Sequence, residues 1–254
     1  VMPAYGTVHL IFLGATLLFF VAGWFIVPKI GRAAQNVLFV AITVLCSGGI
    51  FFRYGMDMKF GGAFTPGTLA MEMLQVCNFN FILLPLMLIP KFELARQYSC
   101  MFSMVSAITT FLSPASSWAD LEWYSATVLN SWLNHVFAVA LPLFMMAARR
   151  LKPQKKYVLP VLGCVFAYFT IVAGVSWLLI ENGVITAENS FSFVFNTEGI
   201  IIFDLLYELI PVPYFYLYPF LIVLYLYFRL LAWAAKKRQV IPFTYRAPKE
   251  NAIR

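Results

Sequence analysis

Seven long apolar segments determine what this chain can fold into. Each approaches the ~20 residues that an α-helix needs to cross the hydrocarbon core of a bilayer. Of the 254 residues, 62% are hydrophobic and only 11% are charged. A soluble domain carries about 25% charged residues, so the composition also indicates a polytopic membrane protein. The segments lie near residues 7–27, 36–52, 67–89, 97–113, 124–147, 157–180 and 212–235.

The apolar segments do not alternate as the strands of a membrane barrel would, and lipid accepts only helices and closed barrels. The sequence therefore predicts an all-α, polytopic seven-transmembrane-helix bundle that forms a single membrane domain over residues 1–254. Residues 181–211 contain apolar stretches that are too short and too charged to span the bilayer. We expect them to form an external, lid-like loop over the mouth of the bundle.

The basic residues fall almost entirely on one side of the predicted membrane. Every Lys and Arg except Arg53 and Lys59 lies in the first, third or fifth connection or toward the C-terminus. Basic loops stay on the cytoplasmic side, so the N-terminus is predicted outside and the C-terminus in the cytoplasm. The same distribution accounts for the net charge of +7 without a nucleic-acid partner. The four cysteines form no CxxC pair, and we expect no metal and no cofactor.

Two of the predicted helices carry polar side chains deep within apolar sequence. Cys77 lies ~15 Å into the third segment and His135 ~16 Å into the fifth, at 1.5 Å per residue, so both are predicted to reach the same level. Polar side chains at that depth are expected to face the bundle interior or a wet cavity. Two groups around the pair are predicted to line a shared, outward-opening substrate pocket. They are Gln75, Asn78 and Asn80 on the third segment, and Asn130, Ser131 and Asn134 on the fifth.

A cysteine beside a histidine can act as a nucleophile with its general base, and amide side chains can orient the base or stabilise an oxyanion. A single membrane cysteine is more often a small packing residue, however, and Asn and Gln also join helices by hydrogen bonds. Whether Cys77 and His135 face each other depends on the rotation of each helix about its axis, which the sequence does not determine. Arg53 and Glu72, each near the outer end of a helix, are expected to form a structural ion pair.

Three blocks, in this order, resemble the bacterial YwaF-like membrane proteins and their eukaryotic relative, transmembrane protein 164. The blocks are LQVCNFNFILLPLMLI, NSWLNHVFAVALPLFMMAARRLKP and FNTEGIIIFDLLYELIPVPYFYLYPFL, and the FFRYG that ends the second segment also fits. The resemblance implies a multi-pass protein of the bacterial cell membrane that transfers phospholipid acyl chains. It also implies that Cys77 and His135 are the catalytic pair. This chain departs from bacterial members at Gln75 and Asn134, where those often carry histidine.

The sequence and the resemblance together predict a membrane-embedded acyltransferase, transacylase or acyl hydrolase that acts on lipid acyl chains. Its predicted partners are membrane lipids and a lipid or small-molecule substrate. The alternative is a transporter, or a protein that binds a lipid or small solute, with His135 as ligand or proton carrier in a polar midplane pocket. A third possibility is a non-catalytic partner subunit. The oligomeric state stays open.

Overall fold

The computed structural model describes residues 5–59, 74–112, 122–189, 191–197, 199–236 and 240. Every regular element in these ranges is a helix, and no strand occurs in them, which confirms the all-α prediction. A buried π-helical turn, Ser99–Ser103, joins two of the helices. The helices are α1 (Thr7–Ile26), α2 (Arg32–Lys59), α3 (Asn80–Met87), α4 (Glu93–Tyr98), α5 (Met104–Leu112), α6 (Ala126–Ala147), α7 (Val158–Glu181), α8 (Ile201–Leu209) and α9 (Tyr218–Ala234).

Five segments of the described chain are long and apolar enough to cross a membrane. They coincide with the first, second, fifth, sixth and seventh predicted segments. The fourth predicted segment is helical through its described part, but the π-helical turn interrupts it between α4 and α5. The chain is therefore an all-helical membrane protein. The five candidate spans are Thr7–Lys29, Arg32–Gly49, Thr127–Ala147, Lys155–Glu181 and Phe215–Ala234.

The third predicted segment differs from the single helix expected over 67–89. Within its described part, residues 74–79 form consecutive turns, and α3 begins only at Asn80. The N–H groups of Asn78 and Asn80 donate to carbonyls three residues earlier, at 3.0 and 3.3 Å. A regular helix over 67–89 is therefore wrong for residues 74–79. Side chains from later in the sequence bind this backbone in place of helical partners, as described below.

Helix α6 lies at the centre of the fold. Its spanning window is 67% buried, against at most 33% for the other four candidate spans. The helix begins at Ala126 because the Ser125 hydroxyl accepts a hydrogen bond from the Val128 N–H at 3.3 Å and so caps the first turn. It packs against α1, α2 and α5. Asn134 and His135 on α6 are consequently enclosed by protein.

The buried side chains of the described residues form two hydrophobic clusters. The first joins α2, α5 and α6, and the second joins α4, α7, α8 and α9. Helix α3 contributes to both, since Leu84 packs in the first cluster and Leu83 in the second. The segment that carries Cys77 therefore runs along the boundary between the two halves of the core.

A buried hydrogen-bond network ties α4 to the connection that follows α6. The amide of Gln97, which is fully buried, donates to Glu93 Oε1 at 2.8 Å and to the Lys152 carbonyl at 3.0 Å. Its own Oε1 accepts from the Gln154 backbone N–H at 2.9 Å. Arg96 donates to the Glu93 carboxylate at 2.8 Å. Gln97 thus binds the Glu93 carboxylate within α4 and two backbone groups in the connection after α6.

Replacing Gln97 by leucine should lower the free energy of unfolding by about 2–4 kcal/mol. The side chain keeps its approximate size, but the Lys152 carbonyl and the Gln154 N–H lose the hydrogen bonds to Gln97, and the Glu93 carboxylate loses one of its donors. Thermal unfolding in detergent micelles measures the loss. The matched control is Asn182→Leu, which removes an exposed amide bonded to the Leu178 carbonyl at 2.7 Å and should change stability by about 0.5 kcal/mol or less. Equal melting of the two variants would contradict a stabilising network.

Candidate active site

Side chains from distant parts of the chain satisfy the backbone of residues 74–79, which we call the Cys77 turn. The Ser192 hydroxyl accepts from the Val76 N–H at 2.9 Å and donates to the Leu74 carbonyl at 2.6 Å. The Tyr168 hydroxyl, on α7, donates to the same carbonyl at 2.5 Å. Irregular backbone at membrane depth is tolerated only where protein or a water-filled cavity satisfies it. These hydrogen bonds therefore make a non-helical turn possible in the middle of an apolar sequence.

The same turn binds the segment 181–211, which the sequence predicted as a loop over the bundle. Gln75 Oε1 accepts from the Ser192 backbone N–H at 3.1 Å, so Gln75 contacts protein where the sequence predicted a substrate contact. Ser192 is fully buried, and both Ser192 and Phe193 have positive φ angles, of 51° and 64°. Non-glycine residues rarely adopt this conformation. Sequence analysis missed Ser192 and Tyr168 because nothing in their neighbouring residues marks them as partners of the turn.

Substituting Ser192 with alanine should destabilise the protein by about 1–3 kcal/mol, because the Val76 N–H loses its acceptor and the Leu74 carbonyl keeps only the Tyr168 hydroxyl as donor. Chemical or thermal unfolding in micelles measures the effect. Ser106→Ala is the control, since Ser106 bonds the Ser103 carbonyl three residues earlier at 3.0 Å and should cost about 0.5 kcal/mol or less. If the two variants melt alike, Ser192 does not hold the turn.

Asn134 on α6 links Cys77 to a second cysteine. Its Nδ2 donates to the Cys77 backbone carbonyl at 3.1 Å, and its Oδ1 accepts from the Cys46 thiol of α2 at 3.1 Å. Asn134 and Cys46 are buried, and Cys77 is half-buried. The depth argument from a regular third helix does not hold across the turn. This hydrogen bond instead brings Cys77 directly beside the residue that precedes His135.

His135 is buried, and its ring is held in one tautomer. Its Nδ1 lies 2.7 Å from the Ser131 carbonyl oxygen, which can only accept a hydrogen bond. Nδ1 therefore carries the proton, and the lone pair of the neutral ring is on Nε2. The ring also packs edge-on against Phe111, with centroids 6.3 Å apart. An imidazole with this tautomer can take a proton at Nε2, as a general base must.

The second histidine, His9 of α1, has the opposite tautomer. The Tyr5 N–H donates to His9 Nδ1 at 2.9 Å, and Nε2 then donates to the Phe111 carbonyl at 3.0 Å. Backbone groups thus bind both ring nitrogens of this fully buried side chain. His9 therefore stabilises the packing of α1, and its lone pair is already bound.

Asn80 is a buried polar side chain whose amide makes no hydrogen bond to the described residues. It is only 1% exposed, and neither atom of its amide has a hydrogen-bond partner among the described residues. Leaving a buried amide unpaired costs about 1–3 kcal/mol. Such a group in a native structure is expected to meet a water molecule or a ligand. Asn80 is thus the predicted pocket residue whose environment best fits substrate contact.

The other residues that were predicted to line the pocket differ in their burial and in their contacts. Ser131 uses its carbonyl to hold His135, and its side chain is half-buried. Asn130 faces α2 closely, since a methyl group at Gly49 would come within 2.8 Å of its Oδ1. Asn78 is half-buried within the Cys77 turn. Glu72 and the side chain of Arg53 lie outside the described residues, so their ion pair stays a prediction.

An apolar cavity of about 420 Å³ begins two residues after Cys77. Residues of α3, of α4 and the connection before it, and of α7, including Tyr168, line it. Lys91 and Glu93 are its charged lining residues, and the volume is within the range of roughly 300–1,000 Å³ that is usual for small-molecule pockets. Its lining residues are Phe79, Leu83, Lys91, Phe92, Glu93, Leu94, Ala95, Tyr98, Cys164 and Tyr168. Within the described ranges no three metal-ligating side chains come together.

Comparison with known proteins agrees with the resemblance of the three sequence blocks. The family model described as the TMEM164 family matches residues 4–236, which covers the helices, the Cys77 turn and α6 with His135. No curated protein and no solved structure matches the chain. Because the matched region extends over nearly the whole sequence, the chain belongs to the TMEM164 family.

Proposed function

We propose that this chain is a membrane acyltransferase that uses Cys77 as nucleophile and His135 as general base and acid. The observation that carries the proposal is the position of Cys77. It lies in a turn fixed by Ser192 and Tyr168, and its carbonyl is bound by Asn134, the neighbour of His135. A packing cysteine needs no such turn. A nucleophile benefits from it, because a fixed backbone keeps the sulfur in one place.

In the proposed reaction the Cys77 sulfur attacks the carbonyl carbon of a phospholipid ester. His135 Nε2 accepts the thiol proton as the carbon–sulfur bond forms. The ester carbon–oxygen bond breaks, and His135 returns the proton to the lysophospholipid oxygen that leaves. A hydroxyl of an acceptor lipid then attacks the thioester, regenerating the thiol; with water as acceptor the same steps give hydrolysis.

Asn80 and the apolar cavity supply the remaining parts of the proposed site. The Asn80 amide can donate to the negative oxygen that develops during attack on the ester. The cavity beside the Cys77 turn suits an acyl chain, since its lining is mainly aromatic and aliphatic. Lys91, which is also among the lining residues, suits a phosphate or carboxylate group.

We also propose the full topology that the sequence predicts. It comprises seven transmembrane helices with the N-terminus outside and the C-terminus in the cytoplasm of a bacterial cell, with residues 181–211 covering the outer mouth. The five long apolar helices support it, as does the concentration of Lys and Arg in alternate connections. Labelling of single introduced cysteines from either side of intact cells tests each connection.

Mapping the acyl group tests the proposed chemistry. Purified protein is incubated with a phospholipid donor, stopped in acid and measured by intact mass, and the modified peptide is then sequenced. We expect one acyl group as a thioester on Cys77. The other three cysteines, Cys46, Cys100 and Cys164, serve as internal controls within the same molecule. No adduct, or an equal distribution over the four cysteines, would overturn the proposal.

A bulky residue at Leu83 should shorten the acyl chains that the enzyme uses. Leu83 is buried and lines the apolar cavity, so Leu83→Trp fills part of it. We expect turnover of long-chain donors to fall about tenfold or more relative to short-chain donors, because one to two kcal/mol of chain binding corresponds to that ratio. The control is Ile82→Trp at the adjacent, exposed position. An unchanged chain-length profile in Leu83→Trp would place the acyl chain elsewhere.

The second candidate function is transport or solute binding, and the Cys77 turn is the observation that favours it. Transporters often bind substrates where a membrane helix is interrupted. In that case a ligand would bind the polar groups of the turn and of α6 without covalent chemistry. Binding that survives Cys77→Ala but is lost in His135→Ala, together with no thioester, would favour transport.

A further inference from the structure

A second pocket lies far along the chain from Cys77, where the start of α7 meets the end of α9. It has a volume of about 410 Å³ and contains five basic side chains from two separate parts of the sequence. No acidic side chain is among its lining residues in the described part of the chain. Those lining residues are Lys152, Pro153, Gln154, Lys155, Lys156, Arg229, Ala232, Trp233 and Lys236.

The level of this pocket is that of lipid headgroups. One candidate span begins at Lys155 and another ends at Ala234, so the basic side chains lie where the two apolar segments leave the membrane. Trp233 is 73% exposed at the same level, a position where the amphipathic indole is common in membrane proteins. Helices α7 and α9 pack against each other, so the two elements that line the pocket are held together.

The side chains around the pocket are oriented by aromatic neighbours. The Arg229 Nη1 donates to the Tyr225 hydroxyl at 3.1 Å, and its guanidinium lies 5.7 Å from the centre of that ring. The Lys156 ammonium lies 4.9 Å from the centre of the Tyr157 ring. Arg229 comes from α9 and Lys156 from the turn before α7, so an anion between them would contact both elements.

We propose that this pocket binds a phosphate-bearing anion, either the headgroup of an acidic phospholipid or a soluble phosphate ester. A cluster of basic residues can simply determine the orientation of the protein in the membrane. That role requires no pocket. Here the charge surrounds a cavity, comes from two elements and lies at headgroup depth. Basic pockets between membrane helices bind anionic headgroups in this way. The proposal does not depend on the proposed acyl-transfer chemistry.

Ligand-dependent thermal stabilisation of the purified chain in detergent tests the proposal. Melting is followed during titration with phosphatidylglycerol, with phosphatidylcholine, and with sn-glycerol 1-phosphate, which has the phosphate but no acyl chain. The concentration dependence of the melting temperature gives an apparent Kd in each arm. We expect the wild type to prefer phosphatidylglycerol over phosphatidylcholine. Stabilisation by glycerol phosphate alone would identify the soluble source and would still support a phosphate site.

Two matched double variants separate the pocket from overall charge. Lys155→Gln with Arg229→Gln removes one Lys and one Arg from the pocket. Lys29→Gln with Arg32→Gln removes the same charges from exposed positions in the first connection. We expect the pocket variant to bind the preferred anion about twentyfold more weakly, at about fivefold for each basic side chain near a headgroup, and the control to bind as the wild type does.

Two results would overturn the proposal. One is an equal loss in both double variants, which would mean that binding follows net charge. The other is a wild type that distinguishes neither phosphatidylglycerol from phosphatidylcholine nor glycerol phosphate from buffer. Lys155→Arg keeps the charge at a position with no stacked partner among the described residues and should bind within about threefold of the wild type, whereas Lys155→Gln alone should bind about fivefold more weakly.

Discussion

Cys77→Ala should abolish acyl transfer, lowering turnover by about a thousandfold or more, and should leave no acyl adduct on the protein. The reason is that the proposed reaction passes through a thioester, and alanine has no atom that can carry the acyl group. The turn itself should persist, because its hydrogen bonds use the backbone of Leu74 and Val76 and the side chain of Ser192. Donor turnover measured by lipid mass spectrometry, with melting temperature recorded in parallel, checks both parts.

Cys100→Ala is the matched control for that variant. Cys100 is fully buried in the π-helical turn, and its sulfur lies 3.5 Å from the Met146 sulfur. Its loss should cost stability through packing and leave the acyl adduct in place. A Cys77→Ala variant that turns over donor at the wild-type rate would remove Cys77 from the chemistry and leave binding or transport as the function.

His135→Gln should lower acyl transfer by about 10²–10⁴-fold, the usual contribution of a positioned general base. Glutamine retains the size of the side chain and can still donate to the Ser131 carbonyl, but it cannot accept a proton. The residual rate should then rise with pH, because hydroxide can replace the missing base in generating the thiolate. The wild type should show a weaker dependence over the same range. Turnover measured across pH 6–9 distinguishes the two.

The other histidine provides the control. His9→Gln changes a side chain whose two nitrogens bind backbone groups near Phe111. We expect a lower melting temperature and an unchanged pH dependence of turnover. If both glutamine variants lost activity equally and with the same pH profile, the effect of His135 would be structural, and the assignment of a general base would be contradicted.

Hydropathy was sufficient to predict five of the helices because a long apolar run has few alternatives in lipid. The third segment shows where that reasoning ends. The spacing of its polar residues from Gln75 to Asn80 is compatible with a helix and with a turn. The choice is made by Ser192 and Tyr168, whose hydroxyls bind the backbone of residues 74–76. A local pattern contains no information about partners that lie about a hundred residues later.

Part of the site was predictable, because buried polar groups need hydrogen-bond partners. Polar residues on α6 were expected to face the interior, and Asn134 does so by bonding both Cys46 and the carbonyl of Cys77. The roles within the group were not predictable, because they depend on side-chain geometry. Gln75 binds Ser192, whereas the amide of Asn80 lacks a partner among the described residues. The positions of Gln75 and Asn80 in the sequence do not distinguish these two roles.

The hydrogen bond between Val76 and Ser192 has a consequence for how the protein is made. The two residues are 116 positions apart, so the ribosome releases Ser192 on the order of ten seconds after Val76 at ordinary rates of synthesis. During that interval the partners of the turn do not yet exist, and lipid does not tolerate an unpaired backbone. The Cys77 turn can therefore acquire these hydrogen bonds only after the later half of the chain has been made. The backbone around the proposed nucleophile is consequently fixed late in the biogenesis of the protein.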